Sequence, residues 1–160
     1  MRILLIDDDA GRREILSAHT GAWVVRMMPR ALFENPDLLH GADGIALDHD
    51  MCEADPERDD APCPASGIPR HCECPDGRAV VRWLLERLGT LKHGCRIVVV
   101  SANPTGARRM ADMLNDSPLR SARKVHVAEC SAARWGRYDT TTRRNIRAAF
   151  GLPLDFEETP

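Results

Sequence analysis

The sequence predicts an α/β fold, a parallel β-sheet with helices on both faces. Three short apolar runs carry that prediction: Ile3-Leu4-Leu5-Ile6, Gly44-Ile45-Ala46-Leu47 and Arg96-Ile97-Val98-Val99-Val100. They are apolar throughout rather than alternating, as strands covered on both faces are. Helical patterns separate them, which is the rhythm of strand–helix–strand units. Each run also ends in polar groups: Asp7-Asp8-Asp9, Asp48-His49-Asp50, and Ser101-Ala102-Asn103-Pro104. Open parallel sheets bind ligands beyond the carboxyl ends of their strands. Carboxylates, an imidazole, a hydroxyl and an amide therefore converge on one edge in this reading. Clustered carboxylates repel one another unless a cation or proton holds them together.

The elements follow in order. Strand one covers 2–6, and a helix follows over 11–19, with Ile15 and Leu16 facing inward and Arg12, Arg13 and Glu14 outward. Ala22 to Met27 makes the second strand. Pro29 suits the first turn of a helix running to Leu39, and 44–48 form strand three. Asp76 is placed to cap the next helix. In it Val80, Val81, Leu84, Leu85 and Leu88 form an apolar stripe, with Gly89 as the stop unless Leu91 extends the helix. Strand four covers 95–101, and Pro104-Thr105-Gly106 opens a helix through Leu114. Val125 to Ala128 reads as strand five. The last helix spans 132–149, with Ile146, Ala149 and Phe150 on its apolar side. Residues 1–150 form one domain in this reading, with a loose tail over 151–160.

The stretch 51–75 breaks the rhythm, being rich in proline and cysteine without helical or strand periodicity. Loops of this length are uncommon in compact domains, and functional ones are over-represented among them. Cys52, Cys63, His71, Cys72 and Cys74 all fall within it, a ligand density that suits a structural Zn²⁺. Inert thiols, or a disulfide of the kind the cytosol disfavours, are the alternatives, since no C-x₂-C knuckle is present. Cys95 and Cys130 flank strands and read as core residues.

Bulk properties exclude several classes. With 160 residues and a net charge of −2, the chain has room for a core and no global field for nucleic acid or anionic membrane. The basic residues are almost all arginine, Lys92 and Lys124 being the two lysines. No apolar stretch approaches the roughly 20 residues needed to span a bilayer, and three aspartates follow the first apolar run too soon for a signal peptide. The expectation is a cytoplasmic protein without a membrane partner.

In motif order the chain resembles the receiver domain of two-component signalling, with a flavodoxin-like fold. That resemblance implies a doubly wound sheet of five strands in order 2-1-3-4-5. It places Asp7 and Asp8 at the acidic pair that binds magnesium, Asp48 at the phosphoryl-accepting aspartate and Ser101 at the switch hydroxyl. Asp50 falls where receivers lend a backbone carbonyl to the metal. Receivers place a lysine at the end of strand five, and this chain has Val127-Ala128-Glu129-Cys130 there, with Lys124 before the strand. A divergent group is more similar, the cyclic-phosphate-processing receiver-like domains. The segments that carry this likeness are Leu47-Asp48-His49-Asp50-Met51, Asp76 through Leu84, and Ser101 through Met110.

The residues support chemistry of that kind. Asp48 and Asp50 are two apart, so an extended backbone points both to one side and His49 to the other. Joined by Asp7 or Asp8, they form a set of hard oxygens suited to Mg²⁺ or Mn²⁺. His49 reads either as an acid–base group or metal ligand, or as a packed, hydrogen-bonded histidine. Ser101 and Asn103 can donate to phosphate oxygens at a helix N-terminus, or simply cap that helix. The basic last helix reads as a solvated face, with Arg134 or Arg137 in reach of strand five.

Three functions follow. The first is a divalent-metal-dependent phosphoesterase acting on a cyclic or terminal phosphate of a nucleotide or RNA end. In it Asp7, Asp8, Asp48 and Asp50 hold metal, and Asp48, His49, Asp50, Ser101 and Asn103 carry the reaction. The second is a non-catalytic sensor of a phosphorylated small molecule or partner. The third is a phosphoacceptor receiver, disfavoured by the missing lysine.

Overall fold

The computed structural model describes residues 1–49, 51, 76–117, 126–131 and 140–154. Five parallel strands form one sheet in order β2-β1-β3-β4-β5. They are β1 (Arg2–Ile6), β2 (Trp23–Met27), β3 (Gly44–Leu47), β4 (Arg96–Ser101) and β5 (His126–Ser131). The helices are α1 (Gly11–Thr20), α2 (Pro29–Glu34), α3 (Gly77–Leu85), α4 (Pro104–Asn115) and α5 (Thr140–Ala149). Among the described residues no helix is long and apolar enough to cross a membrane.

Period-two side-chain alternation sorts the sheet into two cores. Leu4, Ile6, Ile45, Leu47, Ile97 and Val99 face one side, under Leu32 of α2, Val80, Val81 and Leu84 of α3, and Met110 and Leu114 of α4. Ile3, Leu5, Ala46, Val98 and Val100 face the other, under Leu16 of α1, Ile146 of α5 and Phe150. Both faces being covered is why the interiors of β1, β3 and β4 are apolar. At the amino ends of the strands Asp43 is a clamp. Its carboxylate accepts the Arg2 N–H at 2.8 Å and pairs with Lys92, and its carbonyl accepts the Arg96 N–H at 3.1 Å.

Three expectations need correction. The helix predicted from Pro29 to Leu39 is broken: α2 ends at Glu34, and a separate 3₁₀ turn covers Pro36–Leu39. Asn35 precedes a proline, which disfavours the helical region, and it sits at φ −129° and ψ 65°. The helix expected to stop at Gly89 ends at Leu85, and Leu88–Thr90 form a 3₁₀ turn. Strand five runs on through Ser131, because register with β4 continues to the Ser101–Ser131 pair.

Gly77 opens α3 where the helix crosses the end of β3. Its N–H donates to the His49 carbonyl at 3.0 Å. A Cβ there would stand 2.3 Å from the Asp48 carbonyl oxygen and 2.8 Å from the His49 Cα. Both neighbours are backbone and cannot yield cheaply. Gly77→Ala is expected to cost about 1–3 kcal/mol, the range for overpacking, as a lower urea midpoint at unchanged slope. An unchanged midpoint would show that the crossing can open without cost.

Candidate functional site

The carboxyl ends of β1 and β3 lie side by side, and ladder-like hydrogen bonds continue past them. Asp7 N–H donates to the Met27 carbonyl at 3.2 Å and Asp48 N–H to the Ile6 carbonyl at 3.0 Å, fixing both backbones. The two side chains are nearly out of water, with Asp7 0% and Asp48 3% exposed, and Asp8 is half-buried beside them. One carboxylate oxygen from each of Asp7, Asp8 and Asp48 lies within 4.8 Å of the others.

A cation already stands among them. Arg12, predicted to face solvent, turns inward from the first turn of α1, and its side chain is only 19% exposed. Its Nη1 is 2.9 Å from Asp7 Oδ2 and 3.0 Å from Asp48 Oδ2, while its Nε lies 3.5 Å from Asp9 Oδ2. The reason for the correction is electrostatic: two buried carboxylates outweigh the preference of a helix surface for an exposed arginine. Sequence reasoning missed it by sorting α1 on apolar residues alone. The available signal was a long cation in the first turn after an acidic strand end. Arg26 was missed too: its Nη2 donates to the Asp8 carbonyl at 2.6 Å, from a half-buried position inside β2. A charge within an otherwise apolar strand was its signal.

Burial pushes the Asp7 carboxyl up to about 6, although Arg12 and the Asp9 N–H pull the other way and Asp48 adds repulsion. Burial also raises Asp48 above the ordinary carboxylate range, against the pull of Arg12 and of the His49 N–H. Hard carboxylate oxygens that are short of positive charge fit a divalent cation of the Mg²⁺ or Mn²⁺ type.

Ser101 ends β4 on the neighbouring strand and is buried at 3% exposure. Its Oγ accepts the Asn103 N–H at 3.0 Å. Asn103 caps α4 through its Oδ1, which accepts the Gly106 N–H at 2.9 Å. His49 lies against the same turn: a Cβ on Gly106 would stand 2.5–2.6 Å from ring atoms Cδ2, Cγ and Nδ1. The histidine ring thus lies on the first turn of α4, and Gly106 is small because the ring needs that space. Asp76 caps α3, where the Ala79 N–H and Arg78 outweigh burial and hold its carboxyl low. Glu129 pairs with Val99 in register and its carboxylate bonds Arg108 at 3.2 Å, so it is engaged on the α4 side. Asp50, and the zinc set of Cys52, Cys63, His71, Cys72 and Cys74, lie outside the described residues, as do Arg134 and Arg137. Cys95 is a core residue, its thiol pushed up to about 12 by burial.

The model of the cyclic-phosphate processing receiver domain matches residues 2–116. The chain belongs to this family. No curated protein compared with this cyclic-phosphate processing receiver domain matches it. Among solved structures, two-electron reduced Megasphaera elsdenii flavodoxin is similar at 11% identity and a TM-score of 0.53. The similarity covers 94% of this chain and 99% of the flavodoxin, and shows the shared fold. The Mn²⁺-bound form of response regulator Rcp1 is similar at 12% identity and a TM-score of 0.45, over 99% and 96% of the two chains.

The raised Asp7 carboxyl has a stability consequence. The unfolded chain releases this proton near 3.8 and the folded chain near 6, so between those values folding takes up a proton. Stability of metal-free receiver domain should therefore decline as pH rises through about 6, by about 3 kcal/mol at 1.36 kcal/mol per pH unit. Asp7→Asn should flatten that slope. Urea titrations in chelator between pH 4 and 8 measure it, and a wild-type slope as flat as the variant's would refute the assignment.

Proposed function

We propose that this protein is a divalent-metal-dependent phosphoesterase that processes a cyclic or terminal phosphate on a nucleotide or RNA end. The observation that carries the reading is the convergence of Asp7, Asp8 and Asp48 within 4.8 Å at the carboxyl edge of the sheet. Membership of the cyclic-phosphate processing receiver family supports a cyclic phosphate as the substrate class. A Mg²⁺ or Mn²⁺ ion held by these residues would polarise a phosphoryl oxygen and lower the pKa of bound water.

The chain's own residues do the rest. Asp48 is the deep carboxylate at the end of β3, and Asp50 follows it. The Ser101 Oγ accepts the Asn103 N–H, which leaves its O–H to donate to a phosphate oxygen. Asn103 spends its Oδ1 on the α4 cap, which leaves its NH₂ group for the same anion. The N-terminus of α4 adds the positive end of the helix dipole. His49, seated against Gly106, is positioned at that turn to carry a proton.

The charge at β5 favours this reading over stable phosphoacceptance. No lysine occurs in 126–131, and Glu129 there is tied to Arg108. A site lacking that cation holds a covalent phosphoryl group less well and lets product phosphate leave.

A screen of cyclic and terminal nucleotide phosphates with added Mg²⁺ or Mn²⁺ tests the proposal, with Asp48→Asn as the blank. Wild type should cleave at least one class, and the variant should lose at least about a hundredfold in rate, near 2.7 kcal/mol of barrier. A stable phosphoryl group on Asp48 with no cleavage would favour the phosphoacceptor. Tight binding and release of an unchanged nucleotide would favour the sensor.

A further inference from the structure

We propose that Arg12 is the resident counter-cation of the acid cluster, that a divalent ion binds by displacing it, and that Arg12 thereby sets the metal affinity of the site. This rests on the reading of Asp7, Asp8 and Asp48 as the metal ligands.

The geometry is specific. One guanidinium nitrogen bonds both Asp7 Oδ2 and Asp48 Oδ2, at 2.9 and 3.0 Å. An ion ligated by either of those oxygens at about 2.1 Å would stand at most about 5 Å from that nitrogen. At that range, in a pocket whose walls exclude water, two cations repel strongly. The other Asp7 oxygen, Oδ1, is engaged as well, accepting the Asp9 N–H at 2.7 Å.

The structure also gives Arg12 somewhere to go. Asp9 is 53% exposed at the mouth of the site, and its Oδ2 already lies 3.5 Å from Arg12 Nε. The Gly11 N–H donates to Asp9 Oδ1 at 2.8 Å and holds the acid at the start of α1. Arg12 can therefore rotate from the two buried acids to the exposed one without losing a carboxylate partner. Its long stem makes the exchange a matter of side-chain rotation about a fixed backbone.

A scaffolding role predicts the opposite of displacement. If Arg12 merely ordered the carboxylates, its loss would scatter them and weaken metal binding. If it competes, its loss should tighten binding, because the ion no longer has to expel a cation.

The test is Mn²⁺ binding to the full chain, followed by electron paramagnetic resonance at pH 8, with Asp48→Asn defining binding outside the site. Arg12→Gln should bind Mn²⁺ at least tenfold more tightly than wild type, and Arg12→Lys, which keeps the charge, should stay near wild type. A second readout needs no variant: in wild type the Arg12 Nε–H nuclear magnetic resonance signal should move on saturation with Mg²⁺. Equal or weaker Mn²⁺ binding by Arg12→Gln, or an Arg12 signal that ignores Mg²⁺, would overturn the displacement while leaving the metal site intact. Failure of both proteins to bind Mn²⁺ would overturn the displacement and the metal-site reading together.

Discussion

Asp7 and Asp48 end neighbouring parallel strands with their carboxylates almost wholly withdrawn from water. A fold keeps two such charges together only when a cation or a proton stands between them. Arg12 is that cation in this chain, and its contacts with both acids make β1, β3 and the first turn of α1 one electrostatic unit. The packing of α1 on the sheet through Leu16 therefore decides more than core burial, because it delivers the guanidinium to the strand ends. Desolvation still prevails at Asp7. One arginine shared between two acids does not offset it.

A second constraint is steric, and it fixes the other half of the edge. The backbone of Asp48 and His49 runs under the first turn of α3 at Gly77, while the His49 ring lies on the first turn of α4 at Gly106. The same two residues thus bear on two helices, each of which starts with a side-chain cap, Asp76 for α3 and Asn103 for α4. Capping and close approach are local features, but their joint effect is long-range. They lock the end of β3 relative to Ser101, which is what a site assembled from three strands requires.

The parts of this arrangement that were legible in the sequence are those set by local rules. Runs of fully apolar β-formers identify strands buried on two faces, and their polar terminations identify the functional edge, as at Leu47-Asp48 and Val100-Ser101. Asp76 and Asn103 were readable because capping depends on residues only three positions away. Arg12 was not, because nothing local says that a first-turn arginine prefers two carboxylates from different strands to solvent. The length of β5 escaped for a similar reason: its last residues are strand because β4 pairs with them through Ser131. The break at Asn35 was readable from Pro36, because a residue before proline is disfavoured in the helical region.

Charge balance explains why the valence of the ion matters here. Asp7, Asp8 and Asp48 bring three carboxylate oxygens within 4.8 Å of one another, and Arg12 bridges two of the three acids. A compact divalent ion suits such a set in both charge and size better than a monovalent one. Its arrival also changes the standing of Arg12, whose attraction to the cluster was set by the charge that the ion now neutralises. With Asp9 exposed beside it, the guanidinium retains an acid partner at the rim while the buried oxygens are freed. The same three residues therefore have two electrically acceptable states, one closed by an internal cation and one by an external ion. The difference between them lies in a single side chain rather than in the sheet.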